Sequence, residues 1–355
     1  MIESSGAVID SLVVHQMGAK ASGGALRLAK RPIDISAGED VMADVLKTFF
    51  FKSFKTEAYY TFDTESPNQT DIPPVKDICE SVFSDRAKFY DASVAVASRL
   101  FECSNHPNIR GGEIYVVHFT DVVVDGEICD AIGIFKSENK ETFIRINFGI
   151  DSEIQLKAQE GISVKKIDKG CIIFNIEQDN GYRICAVDNI NKGNEAHFWV
   201  EDFLGLCPRE DNYYFTDNYM QMCRGFVKDV YNEENHVPRT DQMDLVNRTM
   251  SFFENTPEFS HDEFARNVVE KPDLIEAFND YKERYEVEHD LPQPLPTSFH
   301  VSKDAVKGEK KNFKSILKLD KNFHVYVHGG RYYMEKGFDE EKDLNFYKLY
   351  FKVEQ

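Results

Sequence analysis

The chain has 355 residues, of which 42% are apolar, and its formal net charge at pH 7 is −19. This length is enough for two domains with separate cores, and no run of about 18–20 apolar residues is present that would form a membrane-spanning helix. The acidic balance argues against DNA binding by the surface as a whole, because phosphates would be repelled.

Cysteine usage and the first residues both indicate a cytoplasmic protein. The seven cysteines are an odd number without a CxxC pair, which predicts reduced and mostly buried thiols. The opening residues have neither the cationic nor the apolar region of a secretory signal. We therefore expect no disulfide framework and no export.

The N-terminal part of the chain alternates between extended and helical patterns. Residues 7–17 and 25–35 are predicted strands on either side of a glycine-bearing loop at 18–24. Apolar residues at helical spacing then predict helices over 40–55 and 74–104.

An antiparallel meander is predicted next, and one further hairpin follows it. The strands of the meander are residues 113–124, 127–136 and 142–148. Asp125-Gly126 separates the first two strands and has the composition of a two-residue hairpin turn. The further hairpin joins residues 171–177 to residues 182–188 through a polar turn that ends in glycine.

The second half of the chain is predominantly helical. Helical periodicity extends from residue 193 to about residue 288, and the segment LPQPLP at 291–296 then breaks it. A short extended stretch at 297–301 precedes a lysine-rich helix, whose safest extent is 310–318 because Gly308 interrupts the pattern. The hairpin FHVYVHGGRYYM, with Gly329-Gly330 at its turn, comes last.

These patterns together predict the α+β fold class with two domains. Residues 1–192 are expected to form a mixed domain with an antiparallel sheet. Residues 193–355 are expected to form a mainly helical domain that contains the lysine-rich helix and ends in a β-hairpin.

Basic residues are concentrated at the C-terminal end of this acidic chain. Residues 151–302 contain 15 basic and 30 acidic residues, whereas residues 303–355 contain 12 basic and 9 acidic ones. Within residues 303–321 seven lysines stand against three acidic residues. This reversal of charge predicts contact with a polyanion or a charged partner, although a solvated lysine-coated helix is the simpler interpretation.

Lysines at a spacing of three or four residues would line one side of the predicted helix and contact successive phosphates. The candidate nucleic-acid-binding residues are Lys307, Lys310, Lys311, Lys314, Lys318, Lys321 and Arg331. Four aromatic residues of the following hairpin could stack on bases, but a sheet core is the favoured interpretation. These aromatic residues are Phe323, Tyr326, Tyr332 and Tyr333.

Catalytic motifs are absent from the sequence. The chain has no HExxH motif, no zinc-type cysteine pairs, no GxGxxG or P-loop and no GxSxG elbow, so no metal or cofactor is expected. His118 lies in an apolar strand, which is typical of a core histidine. The alternative function is a metal-dependent nuclease that uses clustered carboxylates. Those carboxylates are Glu201, Asp202, Glu210 and Asp211.

Several segments, taken in order, resemble the bacterial nucleoid-associated protein family of the 37-kDa, NdpA-like type. The segments are VIDSLVVHQM with ALRLA, the meander at 113–148, HFWVEDFLGL at 197–206 and the tail FKSILKLDKNFHVYVHGG. The resemblance covers nearly the whole chain. It implies a bacterial, cytoplasmic, chromosome-associated protein of two-domain α+β architecture without established enzymatic chemistry.

Two hypotheses for nucleoid association remain open at this point. In the first, the C-terminal lysines contact DNA directly, weakly and with tolerance of sequence. In the second, the acidic body binds a basic DNA-handling protein such as a topoisomerase, and contact with the chromosome is indirect. A homodimer is compatible with the aromatic content, and both hypotheses describe an interaction protein rather than an enzyme.

Overall fold

The computed structural model describes residues 2–35, 40–55, 57–63, 70–148, 154–190, 197–327 and 331–353. The chain forms two compact units, residues 1–209 and residues 210–355. Both units combine helices with antiparallel strands, so the predicted α+β class is confirmed. In the described residues no helix is both long enough and apolar enough to cross a membrane.

The first unit is built on an antiparallel sheet. Its helices are α1 (Asp40–Phe51), α2 (Val75–Ser84) and α3 (Phe89–Cys103). Its strands are β1 (Ile2–Glu3), β2 (Val8–Met17), β3 (Leu26–Arg27), β4 (Tyr60–Phe62), β5 (Gly112–Val124), β6 (Glu127–Ser137), β7 (Glu141–Phe148), β8 (Ile154–Gly161), β9 (Lys169–Phe174), β10 (Arg183–Asp188) and β11 (Leu206–Pro208). In the described part, nine of these strands form one sheet in the order β11-β4-β10-β9-β6-β5-β2-β3, with β1 on β5.

Helices cover both faces of this sheet. The central strands β5, β6 and β9 are almost continuously buried, which is typical of strands with apolar layers on both sides. On one face α2 and α3 pack together with Trp199 of the π-helical turn Phe198–Phe203. On the other face α1 inserts its phenylalanines, and the ring of Phe50 stacks on Phe135 with centroids 4.5 Å apart.

The predicted hairpins of this unit are confirmed where the turn residues strongly favour a hairpin. Strands β5 and β6 pair so that Val124 faces Glu127, and the φ angles of Asp125 and Gly126 are 49° and 86°. Two successive positive φ angles match the right-handed twist of the flanking strands. Strands β9 and β10 also pair as expected, and β2 pairs with β3, although β3 has only two residues.

Two predictions for the first unit are wrong. The helix expected over 74–104 is broken into α2 and α3 at Asp85, which has extended backbone (φ −150°) and accepts a hydrogen bond from the Ala87 amide at 3.1 Å. A side chain that bonds its own backbone in this way competes with helix continuation. The third meander strand, β7, does not join the sheet but pairs with β8 as a separate two-stranded ribbon.

The second unit is mainly helical, as predicted. Its helices are α4 (Asn212–Asp229), α5 (Arg239–Asn255), α6 (His261–Phe264), α7 (Pro272–Glu288) and α8 (Lys303–Glu309). Its strands are β12 (Glu258–Ser260), β13 (Ser298–His300), β14 (Ile316–Leu319), β15 (Phe323–Tyr326), β16 (Met334–Asp339) and β17 (Leu344–Leu349). Aromatic rings dominate the core between the helices, including Phe253 stacked on Phe259 with centroids 5.4 Å apart.

The C-terminal segment differs from the prediction in helix position and in strand pairing. The lysine-rich helix is α8, Lys303–Glu309, and not residues 310–318. Strand β15 pairs with β14, which precedes it, rather than with the residues that follow it. The predicted turn at Gly329-Gly330 lies outside the described residues. The unit still ends in a β-hairpin, formed by β16 and β17.

A candidate nucleic-acid interface

Helix α8 is the first part of the lysine-rich segment, and a side-chain cap determines where this helix starts. The Ser302 hydroxyl oxygen accepts a hydrogen bond from the Ala305 amide at 3.3 Å, which satisfies one amide that the helix leaves unbonded. Ala305 and Val306 face the core, whereas Lys303 and Lys307 are exposed. The cap fixes the helix start, and its apolar side determines which lysines face solvent.

The chain after α8 is held in place by one buried ring and one buried hydroxyl. Phe313 packs into the core of the second unit, and the Ser315 hydroxyl donates to Asn247 Oδ1 at 2.8 Å. Lys311 precedes the first anchor, Lys314 lies between the two, and both lysines remain exposed. Buried and exposed positions therefore alternate here without a helix.

In the β14–β15 hairpin, buried and exposed side chains again alternate, here along a strand. Leu317 is buried, and Lys318 on the opposite face is exposed. Lys318 faces His324 in the register, and Ile316 faces Tyr326. Because side chains alternate along a strand, Lys318 and Tyr326 lie on the same outer face of the hairpin.

We call the exposed lysines of this segment the lysine surface. It consists of Lys303, Lys307, Lys310, Lys311, Lys314, Lys318 and Lys321. Within the described residues, Lys310 is the member of this set that forms an ion pair, with Glu254 at 2.7 Å. Arg331 begins the short 3-10 turn Arg331–Tyr333, and its side chain is outside the described part.

The lysine surface thus spans three kinds of local structure rather than one helix. Lys307 is on α8, Lys310 and Lys311 follow its end, Lys314 is in the connecting chain, and Lys318 is on β14. Lys321 lies in the turn between the hairpin strands. Each of these lysines is exposed, but the prediction that one helical face carries them is wrong.

The acidic residues of the segment offset this charge only partly. Glu309 is buried, where its carboxylate pairs with Arg224 at 3.2 Å and accepts a hydrogen bond from Asn312. Burial, together with the Glu309 charge, raises the pKa of Asp217 on α4. These carboxylates interact within the second unit and do not pair with the exposed lysines.

The interpretation of the four hairpin aromatics as sheet core is wrong. The exposed fractions are 63% for Phe323, 61% for Tyr326, 82% for Tyr332 and 51% for Tyr333. Phe323 and Tyr326 lie on β15, in a sheet of only two strands in the described part, whereas Tyr332 and Tyr333 lie in the 3-10 turn Arg331–Tyr333, so the four rings do not form one sheet core. Tyr326 shares its exposed face with Lys318, a combination that suits stacking on a base next to phosphate contact.

The carboxylates of the nuclease alternative do not form a metal site. Glu201 interacts with His197 at 2.5 Å in the first unit, and the Asp211 carboxylate caps α4 in the second unit by accepting from Tyr213 at 2.9 Å. No group of three or more His, Cys, Asp or Glu side chains in the described residues is arranged to hold a metal ion. The nuclease alternative is therefore not favoured.

The first unit contains an open cleft of about 950 Å³ at the end of α3. His106 and His197 line it, together with Glu102, which forms an ion pair with Lys20 at 2.9 Å. His118 lies elsewhere and is buried, as expected for a core histidine, with Nδ1 3.0 Å from Asp10 Oδ2. Five of the seven cysteines are buried, which confirms the prediction that most of them are buried.

Comparison with known proteins supports the resemblance noted in the sequence. The family model described as nucleoid-associated protein YejK matches residues 13–344. No curated protein shows significant similarity to the chain. Because the family match includes both units, the chain belongs to this bacterial nucleoid-associated family, whose place is the nucleoid in the cytoplasm.

Proposed function

We propose that this protein contacts DNA directly, weakly and without sequence preference through the lysine surface. The observation that carries the proposal is the presence of seven exposed lysines between residues 303 and 321 of an otherwise acidic chain. Lysine ammonium groups contact phosphates, whose spacing does not depend on base sequence. Residues 303–321 contain no arginine, the side chain that most often reads guanine edges.

Charge arithmetic supports weak rather than tight binding. Outside residues 303–321 the chain has 35 basic and 58 acidic residues, so most of its surface repels a polyanion. If four to six lysines contact phosphates, the slope of log K against log salt is on the order of −4 to −5. Affinity at physiological salt is then expected in the micromolar range or weaker, which is typical of non-specific binding.

The exposed aromatics add a second expected property. Tyr326 shares the outer face of the β14–β15 hairpin with Lys318, so one ring and one ammonium group are presented together. Stacking of an unpaired base on an aromatic ring contributes about 1–3 kcal/mol. Substitution Tyr326→Ala should therefore weaken binding to single-stranded DNA more than binding to duplex.

The proposal is tested by fluorescence anisotropy with a mixed-sequence duplex over a salt series. The test variant replaces Lys307, Lys311, Lys314 and Lys318 by Glu, and it leaves Lys310 with its Glu254 partner. The control variant makes the same change of net charge at four exposed lysines elsewhere. These are Lys30, Lys88, Lys165 and Lys271.

Loss of binding in the test variant alone supports the lysine surface. Equal loss in both variants would mean that only net charge matters, and unchanged binding in the test variant would overturn the proposal. All four test positions are exposed, so folding of the variant should be intact, which far-UV circular dichroism checks.

Indirect association through a protein partner is the second candidate. The observation that favours it is the excess of acidic residues in 151–302, 30 against 15. A basic DNA-handling protein such as a topoisomerase would be attracted to this charge. Capture of such a partner from nuclease-treated lysate, together with unchanged DNA association of the lysine variant, would favour this candidate over direct contact. Neither candidate involves catalytic chemistry.

A further inference from the structure

Exposed aromatic side chains are concentrated near the C-terminal end of the chain. In the described residues ten phenylalanine and tyrosine side chains are at least 42% exposed, and eight of these ten lie between residues 323 and 351. Exposed apolar surface that is concentrated in this way marks an interaction site, whereas single exposed rings are ordinary. Three of the eight, Phe338, Phe346 and Tyr350, belong to the β16–β17 hairpin and its continuation.

The register divides the β16–β17 hairpin into two faces. Its six pairs run from Met334 opposite Leu349 to Asp339 opposite Leu344, and in the described residues neither strand pairs with another element. Paired residues share a face, and successive pairs alternate between the two faces. We call one of them the Lys336 face. It carries Met334, Lys336, Phe338, Asn345, Tyr347 and Leu349.

The two faces differ in charge. Both acidic residues of the strands, Glu335 and Asp339, lie on the opposite face. Glu335 Oε2 is 3.9 Å from Lys348 Nζ, and Asp339 Oδ2 is 3.4 Å from Lys342 Nζ, so these carboxylates have lysines of the same hairpin beside them. The Lys336 face has no carboxylate, and Lys336 makes no ion pair within the described part of the chain. Its ammonium group can therefore bind an anion from outside.

Two aromatic rings lie beside this lysine on the same face. Lys336 is opposite Tyr347, and Phe338 follows Lys336 by two residues on β16. Phe338 and Tyr347 are therefore diagonal neighbours, which on one face of an antiparallel pair are about 7–8 Å apart. The Phe338 side chain is 53% exposed, and that of Tyr347 is half-buried. The face thus presents two rings and one ammonium group together.

We propose that the Lys336 face binds single-stranded nucleic acid, with unpaired bases stacked on Phe338 and Tyr347 and a neighbouring phosphate on Lys336. Stacking on aromatic side chains tolerates any base sequence but requires base faces that are not covered, and a duplex covers them. An apolar protein surface would leave the Lys336 charge without a partner, whereas a nucleic-acid strand supplies flat bases and phosphates together. The site therefore differs from the lysine surface in position and in ligand.

The charge balance of the hairpin gives this site a weak dependence on salt. Residues 331–353 contain five basic and five acidic residues, so general attraction of phosphates contributes little here. One lysine–phosphate contact with a single strand corresponds to a slope of log K against log salt of about −0.7, compared with the order of −4 to −5 for the lysine surface. Binding of a single strand that persists at about 0.5 M salt should therefore come from stacking.

The test is a fluorescence-anisotropy titration of the full chain with labelled oligothymidylate of about ten nucleotides, at about 0.1 and 0.5 M NaCl. The test variant, Phe338→Leu with Tyr347→Leu, removes both rings but keeps apolar side chains in the strands. The control variant, Phe346→Leu with Tyr350→Leu, makes the same change on the opposite face, where the Tyr350 hydroxyl donates to Glu335. The exchange variant, Phe338→Tyr with Tyr347→Phe, keeps both rings in place.

The wild type, the control variant and the exchange variant should bind at both salt concentrations, and the test variant should bind about tenfold more weakly or worse. No wild-type binding, unchanged binding in the test variant, or equal loss in the test and control variants would overturn the proposal. The variant with four lysine-surface residues replaced by Glu should keep its binding at the higher salt. Loss there would assign single-strand binding to the lysine surface, so the two proposals can fail separately.

Discussion

Two lysines are buried in the first unit, and their carboxylate partners should be needed for its stability. Lys136 on β6 faces Lys169 on β9, and both are at most 1% exposed. The Lys136 ammonium group donates to Glu138 Oε1 at 2.8 Å, and that of Lys169 donates to Asp188 Oδ2 at 2.5 Å. Burial lowers the pKa of Lys136, since desolvation outweighs the attraction of Glu138.

The substitution Glu138→Gln should destabilise the first unit by about 3 kcal/mol. It keeps the size of the side chain but leaves the buried Lys136 charge without its carboxylate, and removal of one partner of a buried pair typically costs about 3–5 kcal/mol. In the double variant Lys136→Met with Glu138→Gln the unpaired charge is gone. The double variant should therefore be more stable than additivity predicts, by about 2 kcal/mol.

Urea unfolding followed by tryptophan fluorescence measures these free energies. The chain has a single tryptophan, Trp199, which is buried in the first unit and whose Nε1 donates to the Gly170 carbonyl oxygen at 3.4 Å. The matched control is Glu113→Gln, since Glu113 pairs at 3.1 Å with Lys140, whose side chain is 47% exposed. That change should cost less than about 1 kcal/mol. Equal effects of the two substitutions would refute the reasoning.

Three further expectations concern caps, thiols and turns. Replacing Asp211 by Ala removes the hydrogen bond to the Tyr213 amide and should cost the second unit about 1 kcal/mol, measured by thermal circular dichroism. Burial raises the pKa of the Cys185 thiol from 9.0 to about 12. The unfolded thiol therefore loses its proton first, and stability falls as pH rises from 9 to 12. Between pH 8 and pH 10 this loss should be roughly 1 kcal/mol, and it should be missing from the pH dependence of Cys185→Ala in urea unfolding. Gly181 has φ +77°, and an added Cβ would lie 2.3 Å from Thr61 Oγ1. Gly181→Ala should thus destabilise by at least about 1 kcal/mol, and an unchanged urea midpoint would contradict this expectation.

Local chemistry explains which parts of the fold were predictable from sequence. The Asp125-Gly126 turn fixes its hairpin through backbone angles that few residues adopt, so the β5–β6 hairpin was predicted correctly. The lysine-rich helix lies earlier than the sequence predicts, because the Ser302 cap starts it at Lys303 and Gly308 falls within it. Beyond that helix, the burial of Phe313 sets the path of the chain, and this contact depends on residues distant in sequence.

The exposure of the candidate site residues can be predicted only in part from the sequence, for a related reason. A run of lysines indicates exposure by itself, because burial of several unpaired ammonium groups is costly. The sequence does not show whether an aromatic residue such as Tyr326 is exposed. Apolar and polar residues can alternate in the same way along an exposed two-stranded hairpin and along a sheet covered by another layer. The same ambiguity applies to β7, whose apolar alternation predicted a third meander strand and instead belongs to an uncovered ribbon.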